Sequence, residues 1–467
     1  MRLTFGSALK GGYVTTPTET TGKNARRVIV ASAAGNFVEW FDFSIYGLAA
    51  ATLATVFFAP GSESTGLLGV FAVYGVAFLA RPAGAVFFGR IGDRLGRRAA
   101  LSLSIIIMGA STAAIGLLPG WATVGVAAPA LLVLCRLMQG FSAGGEYSGA
   151  VTFVVEHAPE RRRGLWLGLL GMSTLAGPTA ATMVILGAKS ISGDAYADWG
   201  WRLPFLLGGV IAIIGLFLRR GVEESPVFQK AQAEEPVSNR GSLGELLRLY
   251  WRPIVVVAVY FATVGVIAHM FLGYIPTYMT TVGGVGMQEA LAIMTVLSII
   301  GMALTPITGT LTDRIGRRPL LRLGLAGVVV LMVPAYLLVG TGHPILMGIG
   351  LLGFMIPMGL LGSGALAILE ILPARVRYSG IAIPYNVTYA VFAGTAPLVS
   401  ESLVTWTGNQ LCPAFYGAGI GLVGLLVLWR WIPETRGADL VQGAGFGDSL
   451  DARPAERATE GGTAASR

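Results

Sequence analysis

This sequence is poor in charged residues and in cysteine. Only 12% of its 467 residues are charged and 54% are hydrophobic, a balance that excludes a water-soluble domain of this size. The two cysteines, Cys135 and Cys412, lie in or beside apolar runs and are too few for a disulfide framework or a cysteine metal site. The sequence therefore predicts a membrane protein with no metal site, no cofactor and no enzyme chemistry.

Long apolar runs are present throughout the chain. A helix crosses the hydrocarbon core with about 20 mostly apolar residues, and twelve such windows fit without overlap. The first 27 residues lack a short apolar core with a cleavage site, so the first span is expected to act as its own insertion signal. We predict an all-α membrane protein with twelve transmembrane helices in two six-helix pseudo-repeats. The windows are 28–57, 66–88, 99–118, 126–155, 165–188, 203–218, 253–280, 288–311, 320–340, 345–369, 379–402 and 411–431.

A charged loop occurs twice in the chain and divides it. GRIGDRLGRR at 89–98 recurs as GTLTDRIGRR at 309–318, and the pattern E-x-x-P-x-R-x-R follows both at Glu156 and at Glu370. The longest polar stretch between spans separates the two copies. The predicted regions are a cytoplasmic tail at 1–27, a six-helix bundle at 28–219, a cytoplasmic linker at 220–251, a second six-helix bundle at 252–432 and a cytoplasmic tail at 433–467, predicted to be disordered because it lacks apolar periodicity.

The basic residues alternate from loop to loop. The chain carries 33 Lys and Arg and a net charge of +8, yet the loops assigned to the outer side hold only Lys189 and Arg202. Because Lys and Arg concentrate in cytoplasmic loops, we predict both termini in the cytoplasm of a bacterial inner membrane. The excess charge is therefore a topology signal and predicts no nucleic-acid partner. Arg81 and Arg136 are the two basic residues inside spans.

Two carboxylates lie within the first span, in GNFVEWFDFSIYG at 35–47. Glu39 and Asp42 fall about a dozen residues into the helix, where a charge costs about 2.5–3.5 kcal/mol. Asn36 and Tyr46 share their helical face. We predict that Glu39 and Asp42 couple protons and that Asn36 and Tyr46 contact a substrate. An interhelical salt bridge that only fixes packing is the alternative.

Span 4 supplies the predicted counterion, Arg136, at a similar depth. A guanidinium stays charged, so it can hold a substrate carboxylate or pair with Glu39 or Asp42. Competition between these anions would couple substrate binding to protonation. Glu146 lies on the same span, and its pattern fits proton coupling and a structural role equally. The other predicted substrate contacts are polar groups of spans 4, 7 and 11, namely Gln139, Tyr147, His269, Tyr385 and Asn386, with packing as the alternative for His269.

The repeated loop is assigned to conformational control. It lacks the Gly-Lys-Ser/Thr end of a nucleotide-binding loop. Gly92 and Gly96 are expected to permit a tight chain reversal, Asp93 to reach the N-terminus of a neighbouring helix, and the arginines to lie at the lipid headgroups. The predicted latch residues are Asp93, Arg94, Arg97, Arg98, Asp313, Arg314, Arg317 and Arg318.

These motifs carry a resemblance over nearly the whole chain. GRIGDRLGRR and its second copy resemble the signature loop of the major facilitator superfamily, and GNFVEWFDFSIYG, RLMQGFSAGGEYSGA, DWGWRLPF, EESPVF and LPARVRYSG resemble the metabolite:proton symporters. The resemblance implies the major facilitator fold, in which two six-helix bundles rock about a central site. It also implies uptake of a small metabolite together with protons.

Spans 7 to 12 resemble most closely the proline/betaine osmoprotectant branch, through IPTYM, GTLTDRIGRRP, PAYLLV and PARVRYSGIAIPYN. A proline- or betaine-type zwitterion is therefore the first expectation, and an organic acid such as shikimate, 2-oxoglutarate or citrate the second. An exporter and a transporter-like sensor stay open. Gly171 stands where that branch carries an aspartate, and no heptads follow the last span, so osmotic gating is not implied. The expected partners are substrate, protons and membrane lipid, with the chain working as a monomer.

Overall fold

The computed structural model describes residues 22–59, 63–234 and 248–444. Within these residues twelve helices are long and apolar enough to cross a membrane, which confirms the predicted class. Most of the predicted N-terminal tail, the middle of the linker and the end of the C-terminal tail lie outside the described residues. The helices are α1 (Gly22–Leu48), α2 (Glu63–Arg94), α3 (Arg97–Leu117), α4 (Ala127–His157), α5 (Arg163–Ser192), α6 (Arg202–Arg220), α7 (Trp251–Thr281), α8 (Met287–Ile315), α9 (Arg317–Val339), α10 (Pro344–Ile371), α11 (Ala374–Thr407) and α12 (Cys412–Trp431).

Local irregularities interrupt two helices at related places. α7 contains a π turn at Met270–Tyr274, and α11 contains one at Tyr389–Ala393. Turns of this kind are frequent at functional sites because they redirect side chains within a helix. The rings of His269 and Tyr389, at the two irregularities, lie edge to face with centroids 5.5 Å apart. The irregular segments therefore face each other in the second half of the chain.

One end of the bundle collects both copies of the charged loop, because successive helices run antiparallel. We call it the basic end. The loop is shorter than the sequence suggested: α2 runs to Arg94 and α3 begins at Arg97. Gly96 has φ +107°, a conformation that favours glycine. The expectation that Gly92 would also form the turn is wrong, since Gly92 lies inside α2, where an added Cβ would collide with the ring of Tyr378.

Two seams join the N half (α1–α6) to the C half (α7–α12). In one seam α11 lies against α2 and α4, and in the other α5 lies against α8. At the second seam a Cβ on either Gly164 or Gly309 would collide with the backbone carbonyl oxygen of the other residue. The helices therefore touch backbone to backbone there, which only small residues permit.

Residues 433–444 depart from the predicted disorder. Leu440 is 3% exposed, and its carbonyl oxygen accepts a hydrogen bond from Arg377 of the C half. Arg163 of the N half donates to the carbonyl oxygen of Ala438 at 3.0 Å. Composition gave no sign of this order, because buried arginines bind these residues through backbone carbonyls. We call residues 435–444 the strap, since it contacts both halves at the basic end.

Candidate functional site

Glu39 is paired with an arginine to which the sequence assigned no role. Arg81 Nη2 on α2 donates to Glu39 Oε1 at 2.8 Å, and both side chains are buried. The second carboxylate oxygen, Oε2, is buried and has no hydrogen-bond partner among the described residues. Burying an unpaired carboxylate oxygen is costly. One position on Glu39 is thus open to a proton.

Asp42 pairs with Arg136, and both of its carboxylate oxygens have hydrogen-bond partners. Arg136 Nη1 lies 3.3 Å from Asp42 Oδ2, while Thr112 Oγ1 and Gln139 Nε2 each donate to Asp42 Oδ1 at 2.6 Å. Gln139 Oε1 accepts from Arg136 Nη1 at 2.8 Å. The structure therefore brings together three residues that the sequence placed in one site, and it supplies Thr112 as a fourth.

Arg136 keeps one edge of its guanidinium free. Its Nε and Nη2 atoms are buried and have no hydrogen-bond partner in the described chain. Its Cζ lies 4.1 Å from the ring centroid of Tyr46, 5.2 Å from that of Phe43 and 5.5 Å from that of Tyr74. The rings partly offset the buried charge. The free edge is of the kind that binds a carboxylate through two hydrogen bonds.

Glu146 has no open oxygen. Arg219 of α6 bonds both of its carboxylate oxygens, and Ser104 of α3 donates to one of them. Gly35 of α1 lies against the same pair, because a Cβ there would collide with both partners. Four helices of the N half therefore meet at this ion pair. Among the three acids considered for proton coupling, Glu39, Asp42 and Glu146, Glu39 alone retains an unpartnered oxygen in the described chain.

The two remaining span 1 candidates are held by other groups. Asn36 Nδ2 donates to Ser173 Oγ and to Thr174 Oγ1 of α5, both at 2.8 Å. The Tyr46 hydroxyl donates to the carbonyl oxygen of Val70 at 3.1 Å. Asn36 thus links α1 to α5, and Tyr46 reaches the site through its ring, which faces Arg136.

Aromatic side chains line the interface between the halves. Tyr147 of α4 stacks on Tyr385 of α11 with ring centroids 4.9 Å apart, and Phe261 of α7 lies edge to face with Tyr385 at 4.9 Å. His269 Nδ1 is 3.0 Å from the carbonyl oxygen of Gly265. The predicted contacts Tyr147, His269 and Tyr385 therefore share one region, where α4, α7 and α11 meet.

Asn386 joins the halves at the depth of the charged pairs. Its Oδ1 accepts from Arg81 Nε at 3.0 Å, and its Nδ2 donates to the carbonyl oxygen of Gly144 at 2.7 Å. Arg81 Nη2 also lies 3.5 Å from the Tyr385 hydroxyl. Residues of α11 are thus bonded to α2 and to α4 beside Glu39.

At the basic end, the first loop copy is buried rather than spread over the surface. Arg97 is fully buried; its Nε lies 3.3 Å from Glu156 Oε2, and its Nη1 lies 3.3 Å from Asp93 Oδ1. Glu224 accepts the backbone N–H groups of Arg97 and Arg98 at 3.0 and 3.1 Å. The expectation that Arg97 lies at the lipid headgroups is wrong, because Glu156 supplies a buried counterion.

The second copy repeats this arrangement. Arg317 is buried, with Nε 3.1 Å from Glu370 Oε2, which corrects the same expectation for this residue. Glu434 accepts the backbone N–H groups of Arg317 and Arg318 at 3.0 and 3.1 Å. Arg94, Arg98 and Arg314 are exposed and Arg318 is half-buried. The E-x-x-P-x-R-x-R echo in the sequence thus marked the counterions Glu156 and Glu370, although the sequence assigned them no role.

Ion pairs cross between the halves at the same level. Arg377 of the C half donates to Glu156 at 2.9 Å, and Arg163 of the N half donates to Glu370 at 3.0 Å. Each glutamate therefore binds one arginine from its own half and one from the other. The basic end is closed in this structure.

The two loop aspartates, Asp93 and Asp313, also bind backbone N–H groups of the opposite half. Asp93 Oδ2 accepts from the backbone N–H of Ser379, in the first two turns of α11, at 3.0 Å. Asp313 accepts from the N–H groups of Gly164 and Leu165, at the start of α5, at 2.8 and 3.0 Å. A helix N-terminus favours a carboxylate, and Asp313 meets that expectation more directly than Asp93.

Twelve spans in two similar halves, with paired charges in the core and a closed basic end, define a membrane transport protein. The family profile described as Major Facilitator Superfamily matches residues 32–383. The chain belongs to this superfamily, as its motifs predicted, and is a transporter rather than an enzyme.

Curated relatives cover most of the chain. It is 36% identical over 413 residues to a protein named "Proline/betaine transporter" of Escherichia coli (strain K12), covering 86% of this chain and 82% of the relative. It is also 36% identical over 424 residues to a "Putative proline/betaine transporter" of Staphylococcus aureus (strain COL), covering 90% of each.

Solved structures of low sequence identity share the fold. The proton:xylose symporter XylE bound to 6-bromo-6-deoxy-D-glucose matches with a TM-score of 0.75 at 18% identity, covering 90% of this chain and 98% of that one. The inward-open xylose transporter XylE from E. coli gives a TM-score of 0.62 at 20% identity, covering 89% and 98%.

Proposed function

We propose that this transporter takes up a small zwitterion of the proline or betaine type together with protons, by alternating access. The names of the curated relatives support the substrate class. The observation that carries the proposal lies in the core of the N half, where Glu39 has an unpartnered carboxylate oxygen and Arg136 an unpartnered guanidinium edge within the described chain. These are a site for a proton and a site for a carboxylate.

Charge balance links the two sites. Glu39 with Arg81, and Asp42 with Arg136, form two buried pairs without net charge. A bound zwitterion is neutral overall, but its carboxylate on Arg136 places a negative charge close to the acids of α1, in a medium of low dielectric constant, while its cationic end lies farther away. The nearby negative charge favours protonation of one of these acids. Asp42 is fully hydrogen-bonded, so we assign the proton to Glu39 and the orientation of Arg136 to Asp42. Proton and substrate then bind cooperatively.

The substrate contacts we propose surround these charges. The cationic end of a zwitterion is attracted to aromatic rings. The rings proposed for this contact are Tyr46, beside Arg136, and the stacked pair Tyr147 and Tyr385 at the interface between the halves. Gln139 holds Arg136 and Asp42 together, so it acts through them. The full proposed set is Asn36, Tyr46, Arg136, Gln139, Tyr147, His269, Tyr385 and Asn386.

An organic acid is the second candidate, favoured by the free edge of Arg136. That edge offers Nε and Nη2 side by side, which suits a planar carboxylate regardless of what the rest of the molecule carries. An organic acid would use the same proton site, because the charge argument depends only on the carboxylate.

The basic end is the proposed gate on one side of the membrane. The latch residues named from the sequence, joined by Glu156, Glu370, Arg163 and Arg377, hold it shut in the conformation described here, and their separation would open the site to that side. We propose that this side is the cytoplasm and that both termini lie there. Exposed arginines at this end support the orientation; they include Arg90, Arg94, Arg161, Arg162 and Arg314.

We further propose a bacterial inner-membrane location and function as a monomer in contact with lipid. Both charged pairs and the interface residues come from one chain, so the proposed site is complete without a second copy. Large apolar side chains are exposed along the spans, for example Leu79, Ile213 and Leu398, and these positions suit lipid contact.

Uptake into proteoliposomes tests the proposal. Labelled proline, betaine, shikimate and 2-oxoglutarate would each be offered with and without an inward proton gradient. We expect proline or betaine to accumulate only with the gradient. Uptake that is equal with and without the gradient would rule out proton coupling. Accumulation of an organic acid alone would move the assignment to the second candidate.

Separate substitutions of the two acids test the division of labour between them. Glu39→Gln should abolish gradient-driven accumulation and keep exchange of labelled for unlabelled substrate across the membrane, because exchange needs no net proton movement. Asp42→Asn should weaken substrate binding, because Arg136 loses the ion pair that orients its guanidinium. The reverse pattern would assign the proton to Asp42.

A further inference from the structure

We propose that Arg81 makes the closure of the two halves depend on the proton carried by Glu39. This inference rests on the proposed proton coupling and adds a residue that transmits it. Arg81 is a positioning residue here: it acts on the C half through Asn386 and has no assigned contact with substrate.

The geometry places Arg81 between an acid of one half and a side chain of the other. Its Nη2 bonds Glu39 Oε1 of α1 at 2.8 Å, and its Nε bonds Asn386 Oδ1 of α11 at 3.0 Å. Asn386 Nδ2 in turn donates a hydrogen bond to the carbonyl oxygen of Gly144 in α4. The guanidinium also lies over the ring of Tyr385, with Cζ 5.8 Å from its centroid. Three helices from both halves, α1, α2 and α11, therefore meet at one cation, and α4 is joined to them through Asn386.

The contact is separate from the latch. Arg81 lies twelve residues before Asp93 on α2, roughly 18 Å along the helix. Between the two positions α11 stays close to the N half, since an added Cβ on Gly89 would lie 2.8 Å from Ser379 Oγ and the Tyr378 hydroxyl donates to the carbonyl oxygen of Gly145 at 2.6 Å. Arg81 thus holds the deep end of the same seam.

Protonation of Glu39 changes the energy of this closed seam. While Glu39 is ionised, the buried guanidinium has a counterion and the seam is neutral. Once Glu39 takes a proton, Arg81 is a buried cation facing only neutral groups, and removing one partner of a buried pair is strongly destabilising. Asn386 and Tyr385 of α11 cover the guanidinium from the C half, so movement of α11 away from α2 would admit water to it. The protonated protein should therefore favour an open basic end.

The other buried arginines do not occupy such a position. Arg136 and Arg219 bond acids of the N half, and the partners described for them lie within that half. Arg97 and Arg377 cross the seam, but their carboxylate partner Glu156 lies at the basic end and holds both of them. Among the described residues, Arg81 joins a proton-carrying acid directly to the C half.

The groups around Glu39 leave Arg81 as its principal partner. Asp42 lies on the same helix, and Glu146 faces Glu39 from α4. From the C half, Tyr385 contacts the Arg81 guanidinium, and Tyr389 and His269 are close enough to interact with it electrostatically. Of these groups only the two acids carry negative charge, and each is bound to its own arginine. Neither can replace Glu39 as counterion to Arg81.

Distances between spin labels at the basic end test the proposal. Exposed positions Arg162 of the N half and Arg430 of the C half would be changed to cysteine in a chain whose Cys135 and Cys412 are serine, and labelled without substrate or gradient. Glu39→Gln should raise the ratio of open to closed populations by about tenfold or more over the parent. Glu39→Asp, which keeps the charge, should stay closed.

A double variant tests whether the uncompensated charge of Arg81 causes the opening. Arg81→Gln combined with Glu39→Gln leaves no uncompensated charge, so it should return to the closed distance. If Arg81→Gln fails to fold, Asn386→Ala tests the same link from the C half and should shrink the response to Glu39→Gln. A closed Glu39→Gln protein, or a double variant as open as the single one, would overturn the inference.

The experiment separates this inference from the proposed function. If liposome uptake proves independent of the proton gradient while the label distances behave as expected, the symport assignment fails and the link through Arg81 stands. If uptake is proton-coupled and Glu39→Gln stays closed, the symport assignment stands and the link fails.

Discussion

At Gly35 the absence of a side chain makes room for an ion pair inside the membrane. A Cβ at this position of α1 would collide with Arg219 Nη2 and with Glu146 Oε1. Both partners are buried, and Arg219 also bonds the backbone carbonyl oxygens of Ala31 and Leu101. The pair therefore has little room to move, and Gly35 is required for α1 to lie against it.

Gly35→Ala should lower the thermal stability of the detergent-solubilised protein. Overpacking of a filled site costs about 1–3 kcal/mol, and displacement of the ion pair adds to that. The matched control is Gly47→Ala on the same helix, where an added Cβ meets no atom within 4 Å. Thermal unfolding of the two variants beside the parent gives the answer. Equal losses for both alanines would contradict the steric account.

Glu39 and Arg81 show what sequence can and cannot say about single residues. A carboxylate deep in an apolar span is conspicuous because its insertion is costly, so Glu39, Asp42 and Arg136 could be singled out. Arg81 was visible for the same reason, yet its partners depend on how α2 is rotated and on which helix of the other half lies beside it. Neither the rotation of α2 nor the identity of its neighbouring helix can be predicted from the local sequence pattern.

Among the segments, the strap shows best what periodicity misses. It has few apolar residues, yet the backbone N–H of Ala374 donates to the carbonyl oxygen of Val441 at 3.1 Å, and the backbone N–H of Ala444 donates to the carbonyl oxygen of Glu370 at 2.8 Å. The Thr435 hydroxyl donates to Glu370 Oε2 at 2.6 Å. The spans, in contrast, were predictable because length and hydropathy alone define them.

Removal of the strap should loosen the basic end. A chain ending after Arg436 loses the carbonyl groups that Arg163 and Arg377 bind, and it loses the buried Leu440 side chain, worth about 1.5–3 kcal/mol. A chain ending after Ala444 keeps every contact of the strap and is the control. We expect a lower unfolding temperature and longer label distances at the basic end for the shorter chain alone. Identical behaviour of the two truncations would assign the strap no role.

At the scale of the whole molecule, the two halves repeat each other in charge as well as in helices. Arg97 and Glu156 of the N half, with Glu224 just after α6, correspond to Arg317 and Glu370 of the C half, with Glu434 just after α12. The bonding pattern is the same in both sets. The sequence repeat predicted two similar halves and assigned these glutamates no role. It did not predict that each half lends an arginine to the other, because that exchange exists only when the halves are docked.

The loop aspartates give the final prediction, which concerns how the halves separate. Asp93 and Asp313 each bind backbone N–H groups of the other half, and a hydrogen bond to a charged group contributes about 1.5–3 kcal/mol. Asp93→Asn should therefore shift the closed protein toward the open basic end by roughly tenfold to a hundredfold. Arg90→Gln, at an exposed position near the same end of α2, is the control.

This shift should lower the transport rate more than it changes the affinity for substrate. Glu39, Asp42 and Arg136 lie deep in the membrane and keep their partners in Asp93→Asn, so the Kd for the transported substrate should stay within a few-fold of the parent. The rate of gradient-driven uptake should fall by about tenfold, because a protein shifted toward the open basic end populates the closed state less in each cycle. A folded Asp93→Asn protein that no longer binds substrate would instead place the aspartate in the binding site.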